Sequence, residues 1–207
     1  MPDACPALLV QLADNKYLLG KRFSEWTNRA PALEAAVAAA AMTQDELGHA
    51  RSLYAALQSA SDSPEAYLLE GKRDNLQAMP ALREPFQHWA EFVAASVLVD
   101  RALTQVFEAA RHSSYEPLRQ RAAKILQEEW FHRQYGQGWL KKLAGEPKTR
   151  TMLPGAVARF WQPTADWLAT VGDGDALGVL AESGGALRER WLAESSALLA
   201  ECGLAVA

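Results

Sequence analysis

Cysteine is almost missing: there are two in 207 residues, Cys5 and Cys202, near opposite ends of the chain. That spacing supports neither a disulfide framework nor a thiolate metal site. A basic excess is missing too, with 21 Lys and Arg against 25 Asp and Glu and a formal net charge of −4. Without a basic block, nucleic-acid and anionic-membrane partners lose their electrostatic support. No run reaches the roughly 20 apolar residues of a membrane span. The opening MPDACPALLVQLADNKY has no basic n-region and no apolar stretch long enough for a signal peptide. These absences lead to the expectation of a cytoplasmic protein in a reducing compartment. What is present is an ordinary globular mixture, 49% hydrophobic and 22% charged, at a length that suits one domain.

Alanine and leucine dominate, β-branched residues are sparse, and no strand-like alternation persists. The spacing predicts an all-α chain. Breakers divide it into a helix from about Ala7 to Glu25, a second from Pro31 to about Ser59, a third from Pro85 to Arg111 and a fourth from Pro117 to Leu143. A polar connection with one short helical piece separates the second helix from the third. Two or three shorter helices follow, split by VGDGD and SGG. The expected organisation is a single domain over 1–207, with a core bundle at about 7–145 and a helical extension at about 148–207.

The informative residues are the polar ones lying on apolar stripes. The first helix reads Leu9, Leu12, Lys16, Leu19, Phe23, and the second Met42, Glu46, His49, Leu53, Leu57. The third reads Val93, Val97, Asp100, Leu103, Phe107, and the fourth Leu118, Ala122, Ile125, Glu129, His132, Gly136, Leu143. Each stripe follows the helical period and should face the core, yet an ionisable group interrupts each near its middle. Buried unpaired carboxylates are expensive, so something positive must meet them.

Two interruptions share a pattern: Glu46-Leu47-Gly48-His49 and Glu129-Trp130-Phe131-His132 are both Glu-x-x-His. At i and i+3 the carboxylate and the imidazole lie on one helical face. Hard oxygen with borderline nitrogen suits iron or manganese, and zinc less diagnostically. Two such motifs, with one acidic position on each of two further helices, form the arrangement of ferritin-like dimetal carboxylate bundles. Asp100 fills one of those further positions. The fold class expected is therefore an all-α, ferritin-like four-helix bundle with additional C-terminal helices. His88 and His112 lie outside the motifs and read as surface or loop residues. Glu128 should point away from the face of Glu129 into solvent, and Tyr17 and Tyr54 are candidate donors at the edge of the site.

The segments LADNKYLLGKRFSEWTNRAPALE, QDELGHAR, LVDRALTQVFEAARHSSYEPL and EEWFHRQYGQGWL resemble the phenylacetic acid catabolic protein family, the A and C subunits of the multicomponent phenylacetyl-CoA ring-epoxidase. The resemblance implies a ferritin-like bundle and, for an A-type chain, a non-haem diiron site with Glu46, His49, Asp100, Glu129 and His132 as ligands. It also implies partner subunits or a homo-oligomer, an aromatic acyl-CoA substrate, and oxidation by dioxygen with electrons from a reductase. The opening segment with its DN-x-x-L phrase is closer to the C-type chain, which is a related partner that has lost ligands.

One departure stands out. Aligned without a gap through Trp26 and Arg29-Ala30-Pro31, the first-helix carboxylate ligand of the A-type chain falls on Lys16. An ammonium has no lone pair for a metal. Three carboxylates and one ammonium leave two negative charges, which one divalent ion would neutralise and two would overshoot. One metal or none is thus expected ahead of two. The leading reading is a monooxygenase subunit or homologue with a metal site altered by Lys16, and the alternative is a non-catalytic structural partner with a degenerate, metal-free or single-metal site. Iron storage is the weaker third.

Overall fold

The computed structural model describes residues 4–58, 75–171 and 179–205, and their side chains from residue 7 onward. Among them the chain is all-α, with no strand. The N-terminal hairpin pairs α1 (Ala4–Ser24) with α2 (Leu33–Gln58). Helix α3 (Trp89–Ala95) runs through a π-turn at Ser96–Asp100 into α4 (Arg101–Ala110), making one interrupted rod. Helix α5 (Glu116–Gly145) closes a ferritin-like bundle with the other three. The short α6 (Pro147–Arg150) leads to α7 (Leu153–Thr170), and α8 (Gly184–Glu201) ends the described helices. Every residue of the four stripes is buried, as an apolar face turned to a common core requires.

The helix ends differ modestly from the sequence expectation. Pro31 lies two residues before α2 rather than inside its first turn, and Pro85 lies before α3. In α5, Pro117 does sit in the first turn beside Glu116, where a missing N–H costs nothing and a negative charge suits the helix dipole. The expected helical piece between the second and third helices falls partly at 59–74, outside the described residues. Within them it is a short 3₁₀ turn at Pro80–Leu82. Most of VGDGD also lies outside the described residues, whereas Ser183 of SGG caps α8 by accepting from the Ala186 N–H at 3.3 Å.

The fully buried Asp14-Asn15 pair explains the DN phrase in local terms. Asp14 accepts the Tyr54 hydroxyl at 2.5 Å and the Gln77 N–H at 2.6 Å, while Asn15 accepts the Met79 N–H at 2.9 Å. Two α1 side chains thus satisfy the backbone of an irregular segment that no helix partner serves. Asn15→Ala should leave the Met79 N–H unpaired and cost about 1–3 kcal/mol. Urea denaturation would measure it, and an unchanged midpoint would refute the anchoring role.

The C-terminal helices pack against the rod. Trp191 of α8 is fully buried and donates its indole N–H to the Leu98 carbonyl at 2.9 Å, inside the π-turn. Arg101 bridges Glu108 and Glu194, each at 2.7 Å, which ties α4 to α8 at the same level. A π-turn disturbs the regular i to i−4 ladder and turns the residues after it. Here Asp100 is its last residue, so the α8 contacts hold in place the turn that aims this carboxylate.

Candidate metal centre

At the level where the four stripes are interrupted, the Lys16 ammonium stands at the meeting point of the bundle. It donates to Glu46 Oε1 at 2.9 Å, Asp100 Oδ1 at 2.7 Å and Glu129 Oε1 at 2.6 Å, one acid from each of the other three helices. All four side chains are essentially inaccessible to solvent. His132 joins them, with Nδ1 3.1 Å from Asp100 Oδ2 and 3.3 Å from Glu46 Oε1. Glu46, Asp100, Glu129 and His132 present ligand-type atoms all within 4.8 Å of one another. The Thr104 hydroxyl lies 3.0 Å from Glu129 Oε2 and 2.8 Å from the Asp100 carbonyl, a contact the sequence reading does not include.

Glycines let the helices approach at this level. A Cβ on Gly20 would lie 2.9 Å from the Glu46 Cβ, and one on Gly136 would lie 2.6 Å from the Ser96 hydroxyl. Gly20→Ala should therefore push α1 from α2 beside Glu46. The overpacking cost of about 1–3 kcal/mol exceeds the gain of about 0.5–1 kcal/mol in helix propensity. A melting temperature at or above wild type would show that this approach is looser than described.

His49 behaves differently from His132, although both close a Glu-x-x-His motif. Its Nε2 meets Glu128 Oε2 at 2.6 Å, and its Nδ1 is buried without a hydrogen-bond partner, 3.4 Å from Glu129 Oε1. The His132 Nε2 in turn meets Asp45 Oδ2 at 3.2 Å. Each histidine is thus held by the acid that immediately precedes the other motif's glutamate, in a reciprocal cross between α2 and α5. Asp45 goes unmarked in the sequence, where Glu128 is expected to face solvent. Glu128 does lie at the rim, but it serves as the acceptor that orients His49. The repeated acid-Glu-x-x-His pattern is the signal that could have found both acids. His88 at the start of α3 and His112 in a turn stay away from the centre, and Tyr54 donates to Asp14 instead.

Electrostatics within this buried cluster follow from proximity. Burial works to lower the Lys16 pKa, but Asp100, Glu129 and Glu46 together hold it well above its ordinary value. Burial likewise opposes charge on Asp100, yet Lys16 and His132 keep its carboxyl far below the usual range. Burial pushes Glu129 up to about 8, helped by the Asp100 charge, and Glu46 moves in the same direction for the same reasons. His132 is raised despite burial by its bonds to Asp100, Asp45 and Glu46. His49 is lowered to about 2 by burial and by the positive charges of Lys16 and His132. Lys16 and His132 are thus the positive partners of the three buried acids.

A dimetal centre does not fit these residues. The point on which the three carboxylates converge is filled by a cation with no lone pair. The unpartnered buried acceptors Glu46 Oε2 and His49 Nδ1 are the donors left over, on one face of α2.

Known proteins bear on these features. The sequence model of the family described as "Phenylacetic acid catabolic protein" matches residues 2–207. The chain is 28% identical over 209 residues to the C subunit of 1,2-phenylacetyl-CoA epoxidase from Escherichia coli (strain K12), covering 97% of this chain and 83% of that one. It is 30% identical over 168 residues to the A subunit of the same enzyme, covering 79% of this chain and 54% of that one. It thus spans about half the length of the A subunit. No described helix is long and apolar enough to cross a membrane.

Proposed function

The chain belongs to the phenylacetic acid catabolic protein family, and from that premise we propose that it is a non-catalytic partner subunit of a multicomponent monooxygenase acting on an aromatic acyl-CoA. The observation that carries this reading is the Lys16 ammonium bonded to three acids at the bundle centre. Its role there is that of a built-in counter-ion. It supplies the positive charge that acids on converging helices need, and so keeps a ferritin-like bundle folded without iron or manganese. Oxygen activation would then belong to another, metal-bearing chain of the assembly. The match to both the C and the A subunits of one epoxidase supports a place in such an assembly. Trp130 and Phe131 add support: both are exposed on α5 with their rings edge to face at 4.9 Å, an unusual outlay of apolar surface unless another chain covers it.

Metal analysis of protein purified from iron-supplemented cells tests the reading, with a result near zero expected for both iron and manganese. A stoichiometry near two irons per chain would overturn it. The second reading, a single-metal site, is favoured by Glu46 Oε2 and His49 Nδ1, and a stoichiometry near one metal per chain would select it.

A further inference from the structure

A cavity of about 30 Å³ lies between the π-turn, α5 and α8, and neither His49 nor Glu128 lines it. Its lining includes Asp100, Glu129 and Thr104 of the centre together with Ser96 and Ser195. Both serines are at least nine-tenths buried, at 3% and 2% exposure, and neither hydroxyl has a hydrogen-bond partner. Unpaired buried hydroxyls are costly, and native folds tolerate them where solvent fills the gap. The volume matches about two waters, at roughly 10–15 Å³ each, and the walls offer several polar partners per molecule. The half-buried Gln137 and the exposed Arg133 of α5 also line it.

We propose that this cavity is a water site and serves as the solvent port of the charge centre. A short chain of ordered water links Ser96 and Ser195 to Asp100 and Glu129, whose oxygens each have one partner in the centre and can accept a second hydrogen bond. Through those two carboxylates, both bonded to Lys16, the buried ammonium exchanges its protons with bulk solvent. Each exchange replaces one proton by another and leaves every charge unchanged. Packing of α8 decides how open the port is, because Ser195 and the Arg101–Glu194 bridge both come from that contact. The port is independent of any role in an epoxidase, since only the cavity, its hydroxyls and the centre enter into it.

Two measurements test this. A high-resolution crystal structure, with and without xenon pressure, should show water density against Ser96 and Ser195 and no xenon, since polar cavities hydrate while dry ones take up the gas. Xenon density there, or a cavity without ordered water, would overturn the proposal. Exchange of the Lys16 ammonium protons, followed by NMR in protein with ¹⁵N-labelled lysine, should slow by about tenfold or more in Ser195→Val, whose extra methyl fills the cavity and leaves only exchange through opening of the fold. An unchanged rate in a folded Ser195→Val protein would also overturn it. If that variant fails to fold, the two crystal outcomes on the wild type still decide.

Discussion

Lys16→Glu should melt far below the wild type in the presence of a chelator. The substitution removes the cation bonded to Glu46, Asp100 and Glu129 and puts a fourth acid at the same buried point. Breaking a buried charge network by removing one partner costs about 3–5 kcal/mol. For a chain of this size that is a fall of roughly 6–20 °C. Added Fe(II) under anaerobic conditions, or Mn(II), should recover much of the loss, because four carboxylates and two histidines then form the ligand set of a dimetal bundle. Metal held at about 100 times its dissociation constant returns about 2.7 kcal/mol. The wild type should gain little from the same ions, its meeting point being filled. Lys16→Met is the control: it removes the cation without adding an acid, so it should be destabilised in chelator and recover less with metal than Lys16→Glu, having one ligand fewer. If Lys16→Glu melts like wild type in chelator and ignores metal, the ammonium is not the counter-ion of this centre, and the proposed function loses its basis.

The centre is largely legible in the sequence because helices transmit their pattern faithfully. One ionisable residue inside an apolar stripe of period 3.6 has nowhere to go but the core. The stripes therefore place Lys16, Glu46, Asp100 and Glu129 on converging faces, and the structure brings them together with His132. Why His49 turns to the rim is not legible, since its motif matches that of His132 and only the three-dimensional positions of Asp45 and Glu128 separate them. The π-turn is equally hidden. It inserts a change of phase inside an unbroken helical sequence, where VLVD carries no Gly or Pro to mark it. The roles of Asp14 and Asn15 are invisible for another reason: they accept from backbone N–H groups of an irregular segment, and backbone groups leave no side-chain signal.

The unequal histidines lead to a pH dependence whose sign can be worked out. In the folded chain His49 stays neutral down to about 2, because it is buried and faces the positive Lys16 and His132. In the unfolded chain it takes up a proton near 6.5. Below about 6.5 the unfolded state therefore binds a proton that the folded state refuses, so this group subtracts stability as pH falls. Glu129, raised to about 8, acts in the opposite direction between about 4.5 and 8, which masks the effect in the wild type alone. His49→Gln removes only the first contribution, and its side-chain amide can still donate to Glu128. Stability differences between the two proteins, from urea denaturation at pH 7.5, 6.5, 5.5 and 4.5, should isolate it. At pH 7.5 the wild type is expected to be the more stable, since the imidazole packs and bonds as found. Toward pH 4.5 its advantage should shrink by about 1.4 kcal/mol per unit, or about 2–3 kcal/mol in all, and can reverse. Parallel pH profiles would mean that His49 carries a charge in the folded state. The Glu128 contact would then be an ion pair, and the assignment of both positive charges to Lys16 and His132 would have to be abandoned.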